Sequence, residues 1–275
     1  MSYWKKEKKI VEQTKSPITI SSLTRDFKRI GIKQGDVIIV HSSMSKLGWT
    51  VGGPITVIDA LINTIKEDGT IVMPTMSTGN TDPKNWNYPS VPKEWWDIIR
   101  EEMPPYRPAI TPTRGMGRIP ETFLKYPNVI RSMHPQCSFA AWGKEAHYII
   151  EEHSLDETFG DRSPLGKLYQ MNAKILLLGV KHDNNTSLHY AEWKAKIPNQ
   201  PVVDFGGALL ENGKRVWKKW KDLDYDSEDF GKLGIAFEKS FKNQPSIIGQ
   251  AKSSLHMMRE VVDFGVKWLK ANRKY

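Results

Sequence analysis

Three apolar runs limit what this chain can fold into: DVIIVHSS (36–43), GTIVMPTMS (69–77) and AKILLLGV (173–180). Each is nearly continuous rather than alternating, so each reads as a strand buried on both faces. Turn chemistry follows each of them. Between the first two lies ITVIDALINTIKEDG (55–69), where Ile55, Ile58, Ala60, Leu61, Ile62 and Ile65 form a helical apolar face and Gly69 sits at the expected stop. Such a strand–helix–strand unit predicts a right-handed crossover between parallel strands. The predicted fold class is α/β: a three-layer α/β/α arrangement with a central, largely parallel or mixed sheet.

Residues 78–120 read differently. Eight of the seventeen prolines fall there, with VPKEWWDIIREEMP (91–104) as one short helix in an otherwise irregular stretch. Long loops of this type are often functional, and this Pro/Trp-rich excursion is expected over the sheet's edge or over a ligand site. A helix at 119–127, a strand near 137–143 and a helix from about 144 to 153 follow. A small antiparallel region is expected at 202–223, where ENG supplies a hairpin turn. The last helix is expected at 254–274, apolar through Leu255, Met258, Val261, Val262, Val266 and Leu269. No repeat or clean linker divides the chain, so 1–275 reads as a single domain with a basic N-terminal segment at 1–16.

Composition excludes several classes. Cys137 is the one cysteine, which removes any internal disulfide framework and any cysteine-cluster zinc site. The N-terminus has no apolar signal core, and the longest apolar runs are too short to span a bilayer, so a cytoplasmic protein is expected and no membrane partner. A net charge of +9 favours anionic ligands. Nucleic acid is not expected among them, because the ten tryptophans are scattered and KKEKK (5–9) reads as a solvated face. DLDYDSEDF (222–230), with five acids, is a local negative patch.

Two segments could carry chemistry. HSSMSKLGWTVGGPITVIDAL (41–61) places hydroxyls at Ser42, Ser43 and Ser45 and glycines at 48, 52 and 53 between a strand and a helix that could begin at Pro54. Such a loop lies where α/β sheets bind ligands, and a helix N-terminus there favours an anion. It satisfies no named nucleotide motif, and a plain strand-to-helix connection fits the pattern equally well. In TSLHYAE (186–192), Thr186 could cap a helix that puts His189 and Glu192 on one face. Glu192 could fix the tautomer of His189 and leave the other ring nitrogen as a base. The amides of 187–189 and the Thr186 hydroxyl could hold an oxyanion. An isolated His-x-x-Glu is more often an ordinary satisfied pair. A metal site from His182, Asp183, His189 and Glu192 lacks the usual helical spacing and is not expected. No GxSxG elbow is present, Ser163–Pro164 reads as a capped helix start, and Cys137 reads as a buried small hydrophobe.

Seven ordered blocks carry a resemblance: HSSMSKLGWTVGG, TIVMPTMS, TPTRGMGRIPETF, RSMHPQCSFAAWG, SPLGKLY, LLLGVKHDNNTSLHYAE and RVW followed by DLDYDSEDF. Together, over about residues 18–268, they resemble the aminoglycoside 3-N-acetyltransferase family, antibiotic N-acetyltransferases of a non-GNAT fold, in particular its Bacillus-type members. The resemblance implies acetyl-CoA as cosubstrate, direct transfer to an amine within a ternary complex, no metal, and a cytoplasmic resistance role. It places the catalytic pair on His189 and Glu192 with Thr186 beside them. It places coenzyme A contacts on Ser42, Ser43, Ser45, Leu47, Gly48, Met73, Thr75, Thr111, Arg114 and Ser138. Acidic walls for a polycationic acceptor are expected from Asp156, Glu157, Asp161 and Asp183, with the acids of 222–229. The lysine-rich WKAKIP (193–198) and KRVWKKWKDL (214–223) depart from that pattern and keep another small amine open as acceptor. So does a non-catalytic protein that binds coenzyme A or nucleic acid. A homodimer is compatible with the sequence.

Overall fold

A computed structural model describes residues 3–87, 89–242 and 244–275. Met1 and Ser2 of the basic N-terminal segment and Tyr88 of the Pro-rich excursion lie outside the described residues. In chain order the elements are α1 (Tyr3–Gln13), α2 (Ile20–Arg29), β1 (Val37–Ser42), α3 (Pro54–Ile65) and β2 (Thr70–Pro74). Then come α4 (Trp96–Glu102), α5 (Arg118–Phe123), β3 (Ile130–Arg131), β4 (Phe139–Gly143), α6 (Ala146–Ile150), α7 (Pro164–Gln170) and β5 (Lys174–Leu178). The chain continues through α8 (Ser187–Ala195), β6 (Val202–Glu211), β7 (Lys214–Leu223), α9 (Phe230–Phe241), β8 (Ser246–Ile248), β9 (Ala251–Met257) and α10 (Met258–Asn272).

The three apolar runs become β1, β2 and β5, the parallel centre of a seven-stranded sheet ordered β3-β4-β2-β1-β5-β9-β8. Antiparallel β4 and β9 flank them, which makes the sheet mixed. Alternate side chains enter two cores. Ile38, Val40, Ile71 and Leu176 pack under α2, α3 and α5, while Ile39, Val72, Ile175 and Leu177 pack under α6 to α10. Both faces are covered, as continuous apolar strands require. Helix α3 begins at Pro54, but Ile55 is half exposed and takes no part in its buried face.

Two expectations need correction. The segment expected as the start of the last helix, Ser254–Met257, belongs to strand β9, which pairs antiparallel with β5; the helix begins at Met258. Its side chains alternate: His256 turns to Phe237 on one face, while Leu255, on the other, packs against the core opposite to that of Val261, Val262 and Leu269. The basic N-terminal segment is also more than a solvated face. Lys5, Lys8 and Lys9 of α1 are exposed, but Glu7 and Ile10 turn inward. The helix is tied at its end, where the Trp49 amide donates to Thr14 Oγ1 at 2.8 Å.

The hairpin β6–β7 forms as expected and makes the second, two-stranded sheet. The excursion packs along its free edge: the amides of Asp82 and Tyr106 donate to the carbonyls of Gly206 and Ala208, each at 2.8 Å. Among the described residues no helix is long and apolar enough to cross a membrane.

Candidate active site

Loops leave the carboxyl ends of the parallel strands β2, β1 and β5 on one edge of the sheet, the place where open α/β sheets form ligand crevices. They enclose a cavity of about 990 Å³, within the size range of small-molecule and cofactor sites. The β1 loop contributes Ser42, Ser43, Ser45 and Gly48, and the N-terminus of α3 contributes Gly52 and Gly53. Arg118, on the first turn of α5, lines the same wall. Hydroxyls, a guanidinium and a helix start suit an anionic, phosphate-bearing ligand. Two buried polar atoms of this lining, His41 Nε2 and Ser42 Oγ, have no hydrogen-bond partner among the described residues.

The opposite wall is α8. It is buried almost all round, and Gly265 of α10 makes that possible: a Cβ there would stand 2.9 Å from the Cβ of Ala191. His189 and Glu192 lie one turn apart on this helix. Nδ1 of His189 is 3.0 Å from Glu192 Oε2. Glu192 is fully buried, whereas the His189 side chain keeps 16% of its surface and lines the cavity. A carboxylate oxygen in this contact accepts, so Nδ1 carries the proton and Nε2 is left with the ring's lone pair. Phe159 stacks on the ring at 4.7 Å and Phe230 closes against it at 4.8 Å, which fixes its plane. Glu192 Oε1 accepts from Gln200 Nε2 at 3.2 Å, from the Asp226 amide at 3.0 Å and from Arg273 Nη1 at 2.7 Å.

Thr186 lines the cavity next to His189, but its hydroxyl does not cap α8. The amides expected to serve an oxyanion are occupied: Ser187 N–H donates to Asn185 Oδ1, Leu188 N–H to the Asn185 carbonyl and His189 N–H to the Thr186 carbonyl. The tight entry turn consumes them. Of that group only the Thr186 hydroxyl remains without a capping bond.

Several sequence-nominated residues stand away from the cavity lining. Leu47 and Met73 are fully buried in the core under α3. Thr75 and Ser138 are buried where β2 meets β4; the Ser138 hydroxyl accepts from Arg131 Nε and donates to the Thr75 carbonyl, both at 2.9 Å. The Thr111 hydroxyl accepts from the Arg107 amide, and the Arg114 amide donates to Met76. Of the four acids, Asp183 lines the cavity. Asp156 and Glu157 pair with Arg162, and Asp161 accepts from the Tyr190 hydroxyl at 2.7 Å. Two of the acids of 222–229 are likewise engaged: Asp222, at the end of β7, accepts from the Thr158 amide, and Asp229 pairs with Arg273. Sequence reasoning missed Glu7, Ile10, Phe159, Phe230 and Arg273. Only Glu7 and Ile10 carried a signal, their i,i+3 spacing on an N-terminal helix.

His182 does not join His189. It turns to Glu238 on α9 and His256 on β9, with donor atoms within 4.8 Å of one another. A cation there meets an obstacle. Asn185 accepts the Ser187 amide with Oδ1 and therefore offers its NH₂ to His182 Nδ1 at 3.2 Å. The proton must then sit on Nε2, the nitrogen facing Glu238, which leaves it no lone pair for a metal. Cys137 is buried, and burial raises its thiol far above the usual range, so it is no nucleophile.

The fold and site define an α/β protein that holds a carboxylate-steered imidazole beside a deep, anion-suited cavity. The family model described as aminoglycoside 3-N-acetyltransferase matches residues 39–270, and the chain belongs to that family. It is 48% identical over 262 residues to the SPbeta prophage-derived aminoglycoside N(3')-acetyltransferase-like protein YokD of Bacillus subtilis (strain 168), covering 95% of this chain and 96% of that one. The crystal structure of YokD superposes with a TM-score of 0.93 at 47% identity, covering 96% of this chain and 98% of that one. Aminoglycoside N(3)-acetyltransferase VII of Streptomyces paromomycinus is 33% identical over 274 residues, 94% of each chain. AAC-IIIb, solved as a binary complex with CoASH, superposes with a TM-score of 0.84 at 29% identity, covering 94% of this chain and 100% of that one.

Proposed function

We infer that the protein transfers the acetyl group of acetyl-CoA to the 3-amino group of an aminoglycoside, by direct attack within a ternary complex. The observation that carries the reading is the His189–Glu192 pair facing a cavity whose other wall suits a phosphate-bearing cosubstrate. Ser42, Ser43, Ser45, Gly48, the α3 N-terminus and Arg118 receive the coenzyme. Asp183 and Glu7 are carboxylates of the lining available to the acceptor's remaining ammonium groups.

At neutral pH the acceptor amine is an ammonium ion and has no lone pair for attack. Nε2 of His189 takes one proton from it, and Glu192 stabilises the imidazolium that forms. A base so placed typically contributes 10²–10⁴-fold. The amine then forms a C–N bond to the thioester carbonyl, with Thr186 donating to the developing oxyanion. The C–S bond breaks, and the departing thiolate collects the second proton of the nitrogen. His189 releases its proton to solvent when the products leave. No covalent enzyme intermediate is needed, in keeping with a buried Cys137. The reading uses the whole chain as one domain in the cytoplasm and involves no nucleic acid.

One observation favours a second acceptor class. With Asp156, Glu157 and Asp161 paired elsewhere, the cavity offers less negative charge than a polycation calls for, which suits an amine carrying fewer charges. Release of free thiol from acetyl-CoA, measured against a panel of aminoglycosides and simple amines, tests both. Turnover with aminoglycosides supports the main reading, turnover with simple amines alone supports the second, and turnover with neither contradicts both.

A further inference from the structure

We propose that Arg273, in the tail just after α10 and outside the residues matched by the family model, is a positioning residue that holds Glu192 as the partner of His189 and balances the charge of the buried cluster. The proposal rests on the assignment of His189 as the base.

The geometry is a fork. Nη1 of Arg273 donates to Glu192 Oε1 at 2.7 Å, Nε donates to Asp229 Oδ2 at 2.7 Å, and Nη2 donates to the Asp226 carbonyl and to Asp229 Oδ1, both at 2.5 Å. Its side chain is 7% exposed and that of Glu192 fully buried. Burial alone pulls the guanidinium down, but hydrogen bonding to Asp229 and the charges of Glu192 and Asp229 outweigh it and raise it above its ordinary value. It is a fixed positive charge at every working pH. Cζ of Arg273 also lies 5.6 Å from the centroid of the Phe230 ring, the same ring that closes on His189. A tail outside the matched segment thus reaches both the acid and the aromatic wall of the imidazole.

The arrangement divides Glu192 in two. Oε1 takes Arg273, Gln200 and the Asp226 amide, which leaves Oε2 aimed at Nδ1 of His189. Charge counting explains why a cation is needed. Glu192, Asp229 and Arg273 sum to −1 with neutral His189, and to zero once the imidazole has taken a proton. Without Arg273 the resting sum is −2 around a carboxylate with no access to water, a state that burial strongly opposes. Lysine retains the charge, but three donors on one nitrogen cannot reproduce the planar fork that meets four acceptor atoms on Glu192, Asp226 and Asp229.

The titratable groups near the pair are Arg273 and Tyr275 from the tail, Tyr225, Asp226 and Asp229 from the segment between β7 and α9, and Asp183 of the same cavity lining. Removing a positive charge raises the pKa of its neighbours, and removing a negative one lowers it. The experiment is the pH profile of kcat/KM for the full-length protein, by thiol release, in R273Q, R273K and D229N, with H189Q as control. R273Q is expected to lose about 10- to 100-fold in kcat with an unchanged KM for acetyl-CoA, and its acid limb is expected to move to higher pH. R273K is expected to restore the limb but only part of kcat, and D229N to move the limb to lower pH. A purely structural role lowers the melting temperature without moving the limb in opposite directions. If R273Q keeps the wild-type rate and limb, the proposal is overturned; if R273Q does not fold, an unmoved limb in D229N overturns it. Should H189Q itself remain active, the base assignment fails instead.

Discussion

Glu192 and His189 meet at 3.0 Å across one turn of α8, the acid wholly buried and the imidazole opening on the cavity. Replacing Glu192 by Gln keeps the size of the side chain but removes the charge that steadies the imidazolium. It also leaves the Arg273 guanidinium facing a neutral amide. E192Q is expected to lower kcat by about 10²-fold, within the range for general base catalysis, while calorimetric titration finds acetyl-CoA affinity close to wild type. Weakened acetyl-CoA binding with unchanged kcat contradicts the assignment.

Acceptor recognition separates the four nominated acids. Asp183 lines the cavity, whereas Asp156 is held by Arg162 on the surface. D183N is expected to raise KM for a multiply charged acceptor several-fold, and D156N to leave it unchanged. Equal effects from both variants argue against this division of roles.

Five imidazoles held in the interior make stability depend on pH, His134 among them, kept well below its ordinary value by burial. Burial holds His41 down to about 3, His153 to about 4, His182 to about 3 and His256 to about 4, with His182 adding to the effect on His41. In the unfolded chain they titrate near 6.5. Between those values the unfolded state binds more protons, so stability rises with pH. It is complete above about pH 6.5 and declines as pH falls toward 4. The melting temperature is expected to drop steadily from pH 7 to pH 5, where most carboxylates are still ionised. A flat profile over that interval contradicts the burial of these rings.

Gly143 ends β4 with φ +110, and a Cβ there would lie 2.1 Å from the Gly69 carbonyl oxygen. Neither strand can shift without breaking the Thr70–Gly143 pairing. G143A is expected to cost about 3 kcal/mol or more, through backbone strain and a clash with main chain. Denaturant unfolding measures it.

How much of this was legible follows from where the information lies. Strands β1, β2 and β5 and helix α3 announce themselves through continuous apolar runs and local stop signals, and the hairpin through its ENG turn. Strand β9 escaped because KSSLH alternates weakly and runs straight into a helix, so helical periodicity downstream claimed its residues. The His189–Glu192 pair is local, set by i,i+3 spacing, and could be named. Phe159 and Phe230 reach the imidazole from 30 and 41 positions away, and Arg273 reaches Glu192 from 81 positions away, and no local pattern reports such meetings. The placement of the acids is hidden from the sequence for a related reason. Whether an acid faces a cavity or an arginine is decided by tertiary contacts, as Asp156 and Asp161 show.

The most direct measurement is thiol release from acetyl-CoA by His189→Gln, paired with acetyl-CoA titration of the same protein. Turnover is expected to fall at least 10²-fold with cosubstrate affinity retained, because the imidazole moves a proton and does not anchor the coenzyme. A folded His189→Gln protein that turns over near the wild-type rate contradicts the account.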